Sequence, residues 1–501
     1  MLSVFWPPGA SNTRERSSAL PHPTREDARG DPGLSGARRG AQIKDMSATL
    51  RRRLRIPVAL SEDDLVEYFR AGAKPRAEFR VGIEQEKLAV LADGRPAPYQ
   101  SDADGGPGIT TILDALEARG FSATREDGHV IALERRGERI TLEPGGQLEL
   151  SGAARATAAA CRDALVAHVR EVTELAAPLG MRFLGVGARP FGRLDDIGWL
   201  PKRRYGVMRA YFPHAGRQSR LAHHMMKMTA TVQANFDYRD EDDATDKLRT
   251  AYGLTSIVTA LFAASPIVEG RDTGYQSFRA AVWLETDEDR CGLLPFVFEP
   301  GFRFRDYVRW ALDVPMLFLL RDGEFRPVEA KTFRRFAAEG VGDEHASLRD
   351  WAVHLSTLFP EVRLKRYIEL RGADAGPMPM ANALGALWRG LLDDPAARAA
   401  AWELVARPSF AEREGLRREV PKAGLAARLG GRSLRELAVE LCRIADAGLA
   451  RLPGGEGDRP LLDPARGYAE AGRCPADDLR ADFEAAHGDP ATLVRKWTLA
   501  T

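Results

Sequence analysis

The chain has 501 residues, 44% of them hydrophobic, enough for a large buried core. Lys and Arg total 72 against 71 Asp and Glu, a net charge of +1 that argues against a nucleic-acid binder built on a basic field. Apolar runs such as residues 257–264 fall far short of the ~20 residues of a membrane span, and Cys161, Cys291, Cys442 and Cys474 are scattered as free thiols in a reducing cytosol would be. These numbers predict a cytoplasmic protein with neither nucleic acid nor membrane as partner.

Residues 1–45 are rich in Pro, Gly, Ser and Arg without apolar periodicity and are expected to be a disordered extension, either a transit-like segment or the product of a start upstream of Met46. Residues 46–501 are expected to form one catalytic domain. Within it Ser61, followed by three acidic residues, predicts a helix running toward residue 71. A strand is expected over 79–91, a helix over 109–119 and strands near 130–134 and 140–150 joined at Gly137. Longer helices fit 153–177, 245–264 and 304–312, and the last hundred residues are helical in pattern. Strands and helices mix without βαβ alternation, which predicts an α+β fold with an antiparallel sheet.

Four strands carry the functional signal. Period two puts Glu84 and Glu86 on one face of 80–87, opposite Val81 and Ile83. Gln147, Glu149 and Ser151 share a face opposite Leu148 and Leu150, while Glu143 precedes a Pro-Gly-Gly bulge able to re-aim it. In 229–237 every polar residue, Gln233 among them, has one parity. In 362–371 Arg363, Lys365, Tyr367, Glu369 and Arg371 oppose Val362, Leu364, Ile368 and Leu370. An antiparallel sheet with one solvated face alternates in the same way. Glutamates two apart on a strand, however, repel unless a cation neutralises them, and Mg²⁺ shared with nucleotide phosphates is the usual hard cation for such a set. Arg363, Lys365 and Arg371 on that face suit phosphate oxygens. Weaker signals have bland explanations: Gly105–Gly108 lacks a Walker ending, His223-His224 is expected to be structural, and Asp240–Asp246 caps a helix.

The segments Val81-Gly82-Ile83-Glu84-Gln85-Glu86-Lys87, Leu142-Glu143-Pro144-Gly145-Gly146-Gln147-Leu148-Glu149 and Pro201-Lys202-Arg203-Arg204-Tyr205 resemble the plant and proteobacterial glutamate–cysteine ligases. So do Thr231-Val232-Gln233-Ala234-Asn235 and the run from Phe359 to Asp374, and the likeness keeps one order over about residues 55–470. The resemblance implies a glutamine-synthetase-like carboxylate–amine ligase fold with an open charged face. It implies ATP-dependent joining of glutamate to cysteine through an acyl phosphate, with Mg²⁺. It places Glu84, Glu86, Glu143, Glu149, Gln233 and Glu369 at the metal, and Lys365, Arg363 and Arg371 at the nucleotide. Arg204, Arg279, Arg209 and Tyr205 fall to the substrates, with Glu84, Glu86 and Arg279 catalytic. A monomer or homodimer is expected. A sister ligase using another amine, one feeding ergothioneine synthesis, or a non-catalytic paralogue are the alternatives. Only Cys161 stands at a familiar cysteine position, and Gln85 stands where relatives often have His.

Overall fold

A computed structural model describes residues 60–101, 106–215, 219–328 and 331–500; the extension expected over 1–45 lies outside them, as does Gly105. Helix α1 (Glu62–Arg70) starts where Ser61 accepts from the Asp64 amide and Asp64 accepts from the Ser61 amide, a reciprocal cap. The nine strands of the principal sheet are β1 (Val81–Leu91), β2 (Ser122–Glu126), β3 (His129–Arg135), β4 (Glu138–Leu142), β5 (Leu148–Ser151), β6 (Met181–Leu184), β7 (Val232–Phe236), β8 (Val362–Leu364) and β9 (Ile368–Leu370). Their order is β8-β9-β7-β1-β5-β4-β3-β2, with β6 also on β1, and every pairing is antiparallel. The α+β expectation holds.

Two predicted strands are divided. The segment expected over 140–150 breaks into β4 and β5 at Pro144-Gly145-Gly146, where the Gly146 amide donates to the Glu143 carbonyl at 2.8 Å. Gly146 has φ +80°, and a Cβ on Gly145 would sit 2.3 Å from the Lys227 carbonyl oxygen, so glycine is required at both positions. The segment 362–371 is a hairpin in which Arg363 lies directly across from Glu369. Parity survives both breaks because the turns restore the pleat.

Helices α2 (Ile109–Ala118), α3 (Ala158–Ala176), α4 (Arg203–Tyr211), α5 (Ala222–Met228), α6 (Glu241–Leu261), α7 (Phe278–Leu284) and α8 (Met378–Leu392) complete the frame. The third starts later than expected because Thr157 caps it and Asp458 accepts from the Ala158 and Ala159 amides at 3.1 and 2.7 Å. The sixth starts earlier because Asp240 accepts from the Asp243 amide at 2.8 Å. One sheet face, with Val81, Ile83, Leu148, Leu150, Val232 and Ala234 all buried, packs on α3, α6 and α8. Removing these side chains from water is the main drive for the sheet to lie flat on its helices. Gln85 and Lys87 share that parity. The Lys87 ammonium donates to the Gln85 carbonyl at 3.1 Å, and burial pushes its pKa down to about 7.

The other face carries the charges. Glu84, Glu86, Glu143, Glu149, Gln233 and Glu369 on it are all at most 4% exposed. Three helices reach this side: the Tyr205 hydroxyl of α4 donates to the Leu142 carbonyl, Gln147 donates to the Met226 carbonyl of α5, and Arg279 of α7 donates to the Arg371 carbonyl. Among the described residues no helix is long and apolar enough to cross a membrane.

Candidate active site

Strand register collects the charges. Glu84 pairs with Gln233 on β7 and Ser151 on β5, Glu86 pairs with Glu149, and Glu369 pairs with both Asn235 and Arg363. Directly paired antiparallel residues point to the same side, so one continuous row of polar groups runs from β5 across β1 and β7 to the β8–β9 hairpin.

On the β1–β5 side the row is acidic. Asn235 donates to Glu84 at 3.0 Å, the Thr231 amide to Glu86 at 3.0 Å, and the Thr141 hydroxyl to Glu149 at 2.5 Å. Burial, then the neighbouring Glu149 and Glu369 carboxylates, pushes the Glu84 carboxyl up to about 7. Burial also raises Glu86 to about 7, with Glu143 and Glu149 adding to it. Glu143 is re-aimed by the Pro-Gly-Gly turn into the same region, where the Tyr205 hydroxyl lies 3.4 Å from it and donates to the Leu142 carbonyl at 3.0 Å.

On the hairpin side the row is cationic. Glu369 is gripped by Arg363 at 2.6 Å, Lys365 at 2.9 Å and Arg371 at 2.9 Å. Burial opposes ionisation there, but Arg363, Lys365 and Arg371 together hold the Glu369 carboxyl well below the usual range. Arg371 also donates to the Gln233 side-chain carbonyl at 3.0 Å. Arg371 Nη2, Arg363 Nε and Arg279 Nε are buried N–H donors without a hydrogen-bond partner. Unmatched buried donors are costly, and an anionic ligand would satisfy them.

Arg279, on α7, donates to the Arg371 carbonyl at 2.8 Å and lies 3.8 Å from Asp374. With Arg371, Trp283, Phe359, Glu361 and Arg417 it lines a small pocket. Arg204 is buried on α4, its guanidinium 5.6 Å from the centre of the Phe318 ring. The preceding Arg203 fixes that helix to Asp127 and Glu324, each at 2.6 Å. Arg209 stands apart: it is exposed and stacks on Trp199 rather than facing the row. His223 is hydrogen-bonded to the Arg209 carbonyl at 3.1 Å, a structural contact. The sequence reading missed the thioethers Met208, Met225 and Met226, which line a second cavity beside Glu86 and Glu143. The adjacent Met225-Met226 pair, close before the β7 motif, was the available signal.

The carboxylates bear on a metal in two ways. Glu84 and Glu86, whose carboxyls burial and neighbouring carboxylates push up, are the kind of pair that a divalent cation relieves, which fits Mg²⁺ beside them. Among the described residues, however, no three His, Cys, Asp or Glu side chains are already gathered as a metal cage. Gln233 and Glu369 are both engaged by Arg371.

A sheet of buried carboxylates running into a cluster of cations fits a ligase that activates a carboxylate. The profile of Glutamate-cysteine ligase family 2 matches residues 80–496, and the chain belongs to that family. It is 40% identical over 418 residues to the chloroplastic glutamate–cysteine ligase of Arabidopsis thaliana, covering 82% of this chain and 76% of that one. The chloroplastic enzyme of Nicotiana tabacum is 37% identical over 433 residues, 86% of this chain and 80% of that one. The fold is similar to that of a glutamate–cysteine ligase from Francisella tularensis solved with AMP, with TM-score 0.52, 13% identity and coverage of 84% and 87%. The chain is thus a ligase of glutathione biosynthesis with ATP as co-substrate. The relatives' names overturn the cytoplasmic expectation, since the plant enzymes are chloroplastic. Free thiols, here all four cysteines, signal only a reducing compartment and do not single out the cytosol.

Proposed function

We propose that this chain joins the γ-carboxylate of L-glutamate to the amine of L-cysteine at the expense of ATP, forming γ-glutamylcysteine in the buried row between β5 and the β8–β9 hairpin. The supporting observation is the change of sign along that row, from Glu84 and Glu86 with raised pKa to Glu369 enclosed by three cations. ATP phosphorylates glutamate, the acyl phosphate is attacked by the amine, and phosphate leaves. Arg363, Lys365 and Arg371 face the phosphates, where guanidinium forks and an ammonium offset charge as it shifts between oxygens.

Glu84, Glu86, Glu143 and Glu149 would hold Mg²⁺. Gln233 joins them only if Arg371 releases it for a phosphate, and Glu369 only if Arg363, Lys365 and Arg371 all do. Bound Mg²⁺ offsets phosphate charge and orients the transferred group. Arg279 and Arg204 bind glutamate carboxylates, Tyr205 orients Glu143, and Arg209 has at most a role at the rim. Glu84, Glu86 and Arg279 are the groups nearest the reacting atoms. No enzyme nucleophile takes part.

The test is ADP release from Mg-ATP and L-glutamate, with and without L-cysteine, and product identification by mass. Cysteine-dependent release with γ-glutamylcysteine formed is the expected result. Robust release with a different amine only would retain the ligase chemistry and overturn cysteine as substrate.

A further inference from the structure

Asp374 follows the end of β9 by four residues and is 1% exposed. Its Oδ2 accepts from the Ala264 amide at 2.9 Å and the Ser265 hydroxyl at 2.6 Å. Its Oδ1 accepts from the Ser277 hydroxyl at 2.8 Å and lies 3.8 Å from Arg279 Nη1. Both serines also hold the start of α7. The Ser277 hydroxyl accepts from the Ala280 amide at 3.0 Å, and the Ser265 hydroxyl accepts from the amide of Arg279 at 3.1 Å. One carboxylate thus reaches the cap of the helix that carries Arg279, the backbone of Arg279 and one end of its guanidinium.

Asp374 is itself held on several sides. Its segment pairs with Thr231, whose hydroxyl donates to the Ala373 carbonyl at 2.7 Å, and the Ala375 amide donates to the Ala230 carbonyl at 3.0 Å. A Cβ on Gly187 would sit 2.5 Å from the Asp374 Cβ, so the side chain is packed from behind as well. Thr231 also donates its amide to Glu86 at 3.0 Å, which ties this frame to the carboxylate row.

Charge and geometry act together here. Arg279 and Arg371 are both buried, and Arg279 adds to the positive charge around Arg371. Each has a carboxylate of its own, Glu369 beside Arg371 and Asp374 beside Arg279, as buried guanidiniums require. Arg279 Nη1 faces Asp374, Nη2 donates to the Arg371 carbonyl, and the buried Nε–H has no partner. A long side chain fixed at two nitrogens presents the third in one direction, and the ordering cost is met before a ligand arrives.

We infer that Asp374 is a positioning residue of the glutamate site: it holds the Arg279 guanidinium so that the unpaired Nε–H is turned toward a substrate carboxylate, without touching substrate itself. The inference rests on the proposed role of Arg279 in binding glutamate.

The experiment is a double-mutant cycle of Asp374→Asn and Arg279→Lys. It is read by kcat, by the KM values for L-glutamate, ATP and L-cysteine, and by calorimetric titration of L-glutamate with Mg²⁺ and a non-hydrolysable ATP analogue. Asp374→Asn removes the charge at nearly constant volume. Its KM for glutamate should rise about tenfold, with the other two KM values within about twofold and kcat within about threefold. In the double variant the effects should not multiply: the glutamate KM should rise about tenfold to twentyfold, against about a hundredfold for independent sites. Ser265→Ala deletes the hydroxyl shared by Asp374 and the Arg279 amide and leaves both charges in place. It judges the inference if Asp374→Asn fails to fold, and should raise the glutamate KM about threefold, again without multiplying with Arg279→Lys. Effects that multiply, or losses spread equally over kcat and all three KM values, overturn the positioning role. Wild type that binds no L-glutamate would instead overturn the proposed function, and this inference with it.

Discussion

The two ends of the buried row contain the same residue type in opposite electrostatic states. Glu84 and Glu86 on β1 sit among other carboxylates and are pushed up to about 7. Glu369 on β9, two strands away, is equally buried yet held well below the usual range by Arg363, Lys365 and Arg371. Burial raises the pKa of all three, so neighbours alone decide the difference. The β1 end gathers carboxylates and the hairpin end sets three cations around one carboxylate, and the proposed metal and phosphate roles rest on that contrast.

Glu84→Gln breaks the comparison most severely. It keeps volume and the possibility of accepting from Asn235 but deletes a charge, so turnover should fall by about two orders of magnitude or more while the circular dichroism spectrum is retained. Turnover within a factor of a few of wild type would remove Glu84 from the metal set. At the other end Glu369→Gln leaves three cations, two of them buried, sharing a neutral amide. Removing one partner of a buried ion pair costs about 3–5 kcal/mol. Denaturant unfolding should therefore show the larger stability loss for Glu369→Gln and little or none for Glu84→Gln. The reverse ranking would show that the two ends do not differ as described.

The contrast also carries a pH dependence. Because the folded-state pKa of Glu84 and Glu86 is raised from 4.5 to about 7, the folded chain keeps a proton that the unfolded chain has released in that window. Their contribution to metal-free stability is fully present below 4.5 and is lost as pH rises through 7. Treated as one shared proton, the loss is about 1.4 kcal/mol per pH unit within the window. Thermal unfolding in EDTA between pH 5 and 7.5 should show this slope, and Glu84→Gln should flatten it. Added Mg²⁺ should restore stability more at pH 7.5 than at pH 5. An unchanged slope in the variant would assign the dependence to other groups.

Much of this was legible in period two alone. The parities of 80–87, 147–151 and 229–237 become the pairings Glu84 with Gln233 and Glu86 with Glu149, because a buried apolar face fixes strand register. What parity cannot report is what lies above the face. Parity gives no sign of the groups that α4, α5 and α7 bring beside it, Tyr205, Met226 and Arg279 among them. The hairpin within 362–371 was hidden because Lys365, Arg366 and Tyr367 carry none of the Gly or Asn turn signals. Lys87 was legible in principle, since it shares its parity with Val81 and Ile83. Arg209 was carried by likeness to a family motif, which gives order along the chain but no direction for the side chain. The methionines went unread because thioethers at helical spacing look like any core.

Arg279 carries the smallest expected effect. Its fork already donates to the Arg371 carbonyl at 2.8 Å, and its Nε is buried without a partner, so one edge remains for a carboxylate. Arg279→Lys keeps the charge but replaces two directed donors by a point charge on a shorter reach. The KM for glutamate should rise about tenfold, equivalent to about 1.4 kcal/mol, with the KM values for ATP and cysteine nearly unchanged. A change in kcat alone would place Arg279 at the developing charge rather than at a carboxylate of the ground state. A shift confined to ATP would move it to the phosphates and leave Arg204 as the remaining candidate for glutamate, which Arg204→Lys would then decide by the same three constants.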